Sequence, residues 1–438
     1  MGNLTVHKGT WTLEDRFASP WHYLPVEVPP GTAALRVELS HAGDGAVLDL
    51  GCFGPAGFRG WSGGARESFV VAADGATPGY LSGELEPGQW QVVIGLHMIP
   101  ADGARYRVTA ETTAGRVRPD DWLTPGWVAG GGPGGAPDGA VGGVLAGPPA
   151  PADRPVPRAL PATAGRRWLA GDLHSHTVHS DGAMTVPELA AFAVSRGLDF
   201  LAVTDHNTVS QHAELPAAAA RYGITLVPGQ EVTTAYGHAG VLGDTGWIDF
   251  RRHPDCWLDD ASAGGGLMSV NHPIAGPVSW MHPMRRRPPL VEVWHWSWLD
   301  LSWTTPLSWW QAWAPDAVPV GGSDWHRPGS DAPLGTPTTW VEADLEAGSG
   351  SGAGSGAAGP DAILDALRAG RVTISAGRDG PVLLRQDDEL VAVGADGLVL
   401  AGPEGGYRRV RGDLARFPGA PGYHLLRTPA GAAVSLTP

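Results

Sequence analysis

The chain has 438 residues, enough for two or three domains, and its net charge is −15. This acidic balance argues against non-specific binding to nucleic acid or anionic membranes, which requires a basic surface. No run of about 18 apolar residues is present, and Met1–Arg16 lacks the apolar core of a signal peptide. Cys52 and Cys256 are far apart in sequence, so no disulfide framework is expected. We therefore expect a soluble, cytoplasmic protein without a membrane partner.

The first 114 residues predict an all-β domain. Short, partly alternating apolar segments are separated by turns rich in Gly, Pro and Asp, a pattern typical of a β-sandwich. The Gly-rich run Gly57–Gly64 is expected to be a loop. The predicted strands are Trp21–Val28, Ala34–Leu39, Ala46–Leu50, Ser68–Ala72, Gln89–Leu96 and Tyr106–Thr112.

Residues 115–165 are rich in Gly, Pro and Ala without periodicity, which predicts a linker. Strands and helices alternate over residues 166–380, as in a barrel or a parallel sheet. Thr185 and Glu188 form a capping-box pattern that begins a helix ending near Arg196. Residues 381–438 predict a small C-terminal β extension. Further helices are expected at Ser210–Tyr222, disturbed by Pro216, at Ser308–Trp313 and at Pro360–Ala369.

The pair His174 and His176 ends a short apolar segment that begins at Trp168. Residues two apart on an extended backbone point to the same side, so the two imidazoles can form half of a metal site. A polar strand end with two surface histidines would give the same pattern, and this pair alone does not separate the two interpretations.

Other predicted strands end in the same residue types. Imidazoles and carboxylates without cysteine suit Zn, Mn or Fe, and their number suits two or three divalent ions rather than one. Glu231 is the natural bridge, because a carboxylate can bind two cations and close cations acidify a shared water. The candidate ligands are His174, His176, Asp181, His206, Glu231, His238, His272, Asp324 and His326.

Six of these strand ends form short motifs in a fixed order. They are His174-Ser-His176, Ser180-Asp181-Gly182, Thr204-Asp205-His206-Asn207, Gly229-Gln-Glu231, Asn271-His272-Pro273 and Gly322-Ser-Asp324-Trp-His326. Together they resemble the polymerase and histidinol phosphatase (PHP) superfamily over residues 166–380. The resemblance implies a distorted (β/α)7 barrel in an α/β fold. Val291-Glu-Val-Trp294 and Asp361–Arg371 resemble the branch named for the carbaryl hydrolase CehA.

The resemblance also implies how the ligands are shared. His174, His176, Glu231 and Asp324 would hold one metal, and Glu231 with His238 and His272 a second. Asp181, for which His179 is a competitor, would join His206 and His326 around a third ion. Outside the ligand set, His295 is a candidate to line the pocket or donate a proton, with a ligand role as the alternative. Arg327 is a candidate to bind phosphate, because a guanidinium can bond two oxygens.

We therefore predict a PHP-type metal-dependent phosphoesterase that hydrolyses a small phosphate ester with a metal-bridged hydroxide. One alternative keeps the metals and changes the substrate to a carbamate or carboxylic ester, with Trp296 and Trp298 as an aromatic wall. Another is a non-catalytic scaffold whose sandwich binds carbohydrate or protein. A loop of three arginines, Arg285–Arg287, either binds phosphate or is merely solvated. A nucleic-acid substrate is disfavoured by the acidic charge.

Overall fold

The computed structural model describes residues 3–115, 153–295, 305–329, 332–344, 358–403 and 405–438. The chain divides into two compact units. The first contains residues 3–115, Val178–Ala183 and Asp205–Gln211. The second contains residues 153–177, Met184–Thr204 and the described residues from His212 onward. Most of the predicted linker, residues 116–152, lies outside the described residues.

The first unit is a β-sandwich, which confirms the predicted all-β region. Its two four-stranded sheets have the orders β1-β8-β3-β6 and β2-β7-β4-β5, and all their strand pairs are antiparallel. Alternate residues of both sheets meet in one apolar core around Trp90 and Phe69. The elements are β1 (Leu4–Trp11), α1 (Leu13–Ala18), β2 (Trp21–Val28), β3 (Ala34–Ala42), β4 (Val47–Gly54), β5 (Gly57–Gly63), β6 (Ser68–Ala72), β7 (Gly88–Met98) and β8 (Ala104–Thr113).

The predicted loop at Gly57–Gly64 is wrong, because most of it forms strand β5. The glycines that suggest a loop here allow close packing instead. A Cβ on Gly51 of β4 would lie 2.3 Å from the Trp61 ring of β5, so the absence of a side chain lets the indole pack on the neighbouring strand. Trp61 is buried as a result.

The second unit alternates strands and helices before a strand-rich C-terminal part, so a mixed α/β fold is confirmed. Its first half contains β9 (Arg166–Asp172), α2 (Val186–Ser195), β10 (Phe200–Val203), α3 (Leu215–Tyr222), β11 (Thr225–Thr234), β12 (Gly237–Leu242), α4 (Pro254–Ala263), β13 (Leu267–Val270), β14 (Leu290–His295), α5 (Thr305–Trp313) and β15 (Val318–Gly322). Its second half contains β16 (Thr338–Asp344), α6 (Pro360–Arg368), β17 (Val372–Ser375), β18 (Val382–Gln386), β19 (Glu389–Val393), β20 (Val399–Ala401), β21 (Tyr407–Arg409), β22 (Leu414–Pro418), β23 (His424–Arg427) and β24 (Ala433–Thr437).

Strand direction brings the candidate ligands to one edge of the main sheet. Strands β9, β10 and β11 run parallel, as do β13, β14 and β15. Strand β12 is antiparallel to both β11 and β13, so these six strands share one direction. The carboxyl ends of all six therefore lie at the same edge as the start of β12. Beyond β9 the sheet continues through β16, β17, β24, β23, β20 and β21, while β18, β19 and β22 form a separate small sheet.

Local signals place the helices well. Helix α2 begins at the predicted capping box, in which Thr185 and Glu188 bond reciprocally, and its C-cap is Arg196. Pro216 lies in the first turn of α3, directly after a 3₁₀ turn, as the predicted disturbance requires. Helix α4 was not predicted from the sequence. No helix among the described residues has the length and apolarity needed to cross a bilayer.

Candidate metal centre

Glu231 lies at the centre of the candidate site in the second unit, and its side chain is fully buried. Its Oε1 is 3.1 Å from Nε2 of His174, 3.2 Å from Nε2 of His272 and 3.4 Å from Nδ1 of His238. Asn271 donates a hydrogen bond of 3.0 Å to the same oxygen. The ends of β9 and β13 and the start of β12 thus converge on one carboxylate, which is the arrangement that a bridging ligand requires.

Asp324 provides the second carboxylate of the site. Its Oδ1 is 2.9 Å from Nε2 of His176 and 3.1 Å from Nε2 of His174. One ligand atom from each of His174, His176, Glu231 and Asp324 lies within 4.8 Å of the others, a grouping that could hold a metal ion. The four residues are the set that the family resemblance implies for one metal.

Glu292, which was not among the predicted site residues, bonds to two candidate ligands. Its Oε1 is 3.1 Å from Nδ1 of His174, and its Oε2 accepts a 2.8 Å hydrogen bond from the backbone N–H of His272. A carboxylate that accepts from one ring nitrogen fixes the tautomer, leaving the other nitrogen free to bind metal. The signal in the sequence was a glutamate in the middle of the buried strand β14.

This tautomer tests whether the site fits a cation. A His174 ring that donates from Nδ1 carries a lone pair on Nε2, which lies 3.1 Å from oxygens of both Glu231 and Asp324. Like partial charges at that separation repel, so a proton or a metal ion is needed between them. Burial lowers the pKa of His174, but Glu231, Asp324 and Glu292 outweigh it and raise the pKa well above its ordinary value. The residues therefore fit a divalent cation.

The backbone around the ligands is also constrained. Asp172, fully buried at the end of β9, accepts hydrogen bonds from the backbone N–H groups of His174 at 3.1 Å and Ser323 at 3.0 Å. It therefore ties together the two turns that present His174 and Asp324. His272 has φ of 27° and Asp324 has φ of 50°, a region that non-glycine residues adopt at a cost of about 1–3 kcal/mol. Such strain at two candidate ligands supports a functional role.

The remaining predicted ligands have different surroundings. Nδ1 of His326 is 3.8 Å from Oδ1 of Asp324, and its ring stacks on His176 with centroids 4.2 Å apart. Asp181 and His206 lie in the first unit, where Nε2 of His206 is 3.6 Å from Oδ1 of Asp181. His179, the competitor of Asp181, is buried in that unit and its Nδ1 is 2.7 Å from Oγ of Ser210.

The two predicted residues outside the ligand set also differ from one another. Nε2 of His295 lies 3.2 Å from Oδ2 of Asp324, so His295 adjoins the candidate ligands. Burial lowers the pKa of His295 despite its hydrogen bond to Asp324. Arg327 follows His326 and is exposed.

Two residues of the predicted arginine loop bond to neighbouring groups of the second unit. Arg286 pairs with Asp259 of α4 at 2.7 Å, and Arg287 donates to the carbonyl of Trp313 at 2.7 Å. These bonds occupy both guanidinium groups on the surface of the second unit. They therefore favour a solvated loop over a phosphate-binding one. Trp296 and Trp298 lie outside the described residues.

Comparison with known proteins gives matches confined to part of the chain. A segment is 46% identical over 66 residues to a 3',5'-nucleoside bisphosphate phosphatase of Chromobacterium violaceum, covering 15% of this chain and 23% of that protein. Another match, to a 5'-3' exoribonuclease of Haemophilus influenzae, is 37% identical over 70 residues and covers 16% of this chain and 26% of that protein. The chain thus spans about a quarter of the length of these relatives.

Structural comparison finds a two-domain protein of Bacteroides vulgatus, described as containing a predicted PHP-like metal-dependent phosphoesterase. It is 17% identical, with a TM-score of 0.43, and the match covers 66% of this chain and 99% of that chain. A family model described as PHP domain matches residues 172–262, a segment that contains six of the nine candidate ligands. Residues 172–262 are therefore similar to a PHP domain, in agreement with the family resemblance over that segment.

Proposed function

We propose that this protein is a PHP-type metal-dependent phosphoesterase acting on a small phosphate ester. The observation that carries the proposal is the convergence of three imidazoles on Oε1 of Glu231, at 3.1, 3.2 and 3.4 Å. Two divalent ions, Zn, Mn or Fe, would share this carboxylate. His174, His176 and Asp324 would complete the first set of ligands, and His238 and His272 the second. A third ion, held by Asp181, His206 and His326, is part of the proposal.

The matched relatives support a phosphate substrate. A nucleoside bisphosphate phosphatase and a 5'-3' exoribonuclease both cleave phosphate esters, by their names, and both match this chain at more than a third of the aligned positions. The exoribonuclease also makes the end of a short oligonucleotide a reasonable substrate to test, despite the acidic charge of the chain. Soluble, cytoplasmic location remains an expectation from the sequence.

The isolated parallel bridge between Ser175 and Trp325 supports the proposed barrel. Ser175 lies just beyond β9 and Trp325 just beyond β15, the first and last strands of the series β9 to β15. Pairing between the two ends of such a series is what closure into a (β/α)7 barrel would require. Closure would also place His176 and Asp324 beside each other, as their 2.9 Å separation reflects.

Each residue of the candidate site would have a distinct role in hydrolysis. Bound divalent ions acidify water and neutralise charge on phosphoryl oxygens. The surrounding imidazoles hold the carboxylates of Glu231 and Asp324 in place, and Glu292 orients the ring of His174. His295, beside Asp324, is placed to hydrogen-bond the substrate or to assist the leaving group. The side chains of Asp324 and His326 are 17% and 27% exposed, so substrate would approach from their side.

A carbonyl substrate is the second candidate, because the surface bonds of Arg286 and Arg287 weaken the case for a cluster of phosphate-binding arginines. The resemblance to the carbaryl hydrolase branch belongs with this candidate, and it would use the same ligands on a carbamate or carboxylic ester. The two candidates differ in charge: a phosphate ester carries an anion before attack, and a carbamate does not.

Metal-replete protein assayed on an aryl phosphate, an aryl phosphodiester, a short 5'-phosphorylated oligonucleotide and an aryl ester would test the proposal. Arg327→Ala should lower kcat/KM on the phosphate by roughly 10- to 100-fold, the loss of one charged hydrogen bond, and should have little effect on the ester. Arg286→Ala, which removes a surface arginine paired with Asp259, is the matched control. Turnover of the ester alone, or equal effects on both substrates, would overturn the phosphoesterase proposal.

A further inference from the structure

Two short segments that carry candidate ligands belong to the sandwich unit rather than to the unit that contains their neighbours in sequence. Val178–Ala183 carries Asp181, and Asp205–Gln211 carries His206. In sequence, the two segments follow β9 and β10 of the second unit, but in the fold they group with residues 3–115. Contacts within the first unit therefore help to position the side chains of Asp181 and His206.

Arg66 of the sandwich binds the first of these segments. Its guanidinium donates to the carbonyl of Val178 and, at 3.3 Å, to the carbonyl of Ser180. Arg66 is only 8% exposed, and Ser180 is also buried. A buried guanidinium whose fork bonds two main-chain carbonyls of one loop holds the loop backbone in a single position.

A hydrogen bond passes this constraint to the second segment. Oγ of Ser180 donates to Oδ1 of Asp205 at 2.7 Å, and Asp205 is fully buried beside His206. The charge of Arg66 interacts favourably with both Asp205 and Asp181, while burial lowers the pKa of Arg66. The guanidinium thus compensates two acids, one from each segment.

Gly79, in a turn of the sandwich, forms a second attachment. Its N–H donates to Oγ of Ser210 at 3.0 Å, and its carbonyl accepts from Oγ1 of Thr208 at 2.9 Å. Ser210 in turn lies 2.7 Å from Nδ1 of His179, so this attachment includes both segments. Gly79 has φ of 99°, and a Cβ there would lie 2.9 Å from the carbonyl of His179, so only glycine permits this approach.

We infer that the β-sandwich positions the Asp181–His206 pair within its own unit, with Arg66 as the principal positioning residue. This inference rests on the proposed function, because it takes Asp181 and His206 as ligands of a third ion. It assigns the sandwich a role in presenting these two candidate ligands, in place of a separate carbohydrate- or protein-binding role.

Two effects of removing Arg66 would act in opposite directions on metal affinity. Loss of the hydrogen bonds would release the segments and weaken binding, whereas loss of a positive charge near Asp181 and Asp205 would strengthen it. Supporting bonds around metal ligands typically account for roughly 10- to 100-fold in affinity. We therefore expect Arg66→Met to weaken one ion by about tenfold, at the lower end of this range because the bonds act through the backbone. Arg66→Lys retains the charge and should recover part of the loss.

The experiment combines metal titration with hydrogen exchange on the full-length protein. Arg66→Met and, as a milder change, Ser210→Ala should speed exchange in peptides spanning residues 178–183 and 205–211. Both should weaken one ion selectively and leave the Glu231 ions in place. Arg36→Met is the control, because Arg36 is an exposed arginine of the same sandwich and pairs with Glu38 at 2.8 Å.

Three results would overturn the inference: unchanged exchange in both peptides, equal weakening of every ion, or tighter binding of the third ion in Arg66→Met. Asp181→Ala and His206→Ala separate this failure from failure of the proposed function. If neither substitution alters metal binding, the third-ion assignment fails, whatever Arg66 does to the exchange of the two segments.

Discussion

The two units bury charge in opposite ways. In the sandwich, the buried Arg59 and Arg66 donate mainly to main-chain carbonyls, such as those of Gly83 and Ser180. In the α/β unit, the buried Glu231 and the half-buried Asp324 lie against imidazoles. A charge bonded to backbone carbonyls fixes the path of the chain, because carbonyl groups do not change their protonation state. A cluster of carboxylates and imidazoles can exchange protons for cations, and so can bind metal.

Removal of the shared carboxylate, Glu231, should have the largest effect, and that effect is on the metal content of the α/β unit. Glu231→Ala should lose most of the bound metal, since one oxygen faces three candidate ligands, and the loss should exceed the roughly 10- to 100-fold seen for outer partners. Elemental analysis of protein purified without chelator measures this. Glu214→Ala, an exposed glutamate of the same unit, is the control, and full metal retention by Glu231→Ala would contradict the bridging role.

The next effect concerns the carboxylate behind His174. Glu292→Gln keeps the shape of the side chain but removes the charge that orients Nδ1 of His174, so metal affinity should fall by roughly 10- to 100-fold. Competition with a chromophoric chelator gives the affinity. Glu342→Gln tests a buried glutamate of β16 that bonds the backbone of Thr163 instead, and it should leave the affinity unchanged. An equal loss in both variants would indicate general destabilisation.

In the sandwich, replacing the buried Arg59 should lower the stability of the protein and leave its metal content unchanged. Arg59 donates to the carbonyls of Leu81, Gly83 and Glu84, and its guanidinium lies 4.8 Å from the Trp90 ring centroid. Arg59→Met should lower the free energy of unfolding by roughly 1.5–3 kcal/mol, the range for hydrogen bonds made by a charged group, because these carbonyls lose a buried charged donor. Denaturant unfolding with parallel metal analysis checks both parts. Loss of metal in this variant would contradict the division between the two units.

The last effect concerns a carboxylate of the sandwich and is spread over several pH units. Burial raises the pKa of Asp49, in β4, to about 7 from a model-peptide value of 3.8. Because the folded-state pKa is the higher one, stability falls as pH rises from about 4 to about 7 and is constant above, by at most about 1.4 kcal/mol per pH unit. Asp49→Asn should remove this slope. The free energy of unfolding of both proteins would be measured against pH. Identical profiles would contradict the prediction, because they would show that Asp49 is already ionised across this range.

The sequence predicted what depends on local pattern. The His174–His176 pair was predicted from strand periodicity, Glu231 from its residue type after a predicted strand, and helix α2 from its capping box. Predictions failed where contacts are distant in sequence. The role of Glu292 depends on a partner 118 residues away, and strand β5 depends on Trp61 packing over Gly51. The attachment of Val178–Ala183 to Arg66 spans 112 and 114 residues and has no local signal.

The left-handed backbone of His272 and Asp324 sets a limit on how far this protein can be stabilised. Glycine would relieve the backbone strain at either position, by an amount on the order of 1 kcal/mol. It would also leave Glu231 without His272, or His174 and His176 without Asp324, and each buried group that loses its partner costs about 1–3 kcal/mol. The strain at these two positions is therefore retained even without an ion. Selection for thermal tolerance should leave His272 and Asp324 unchanged and act elsewhere in the chain.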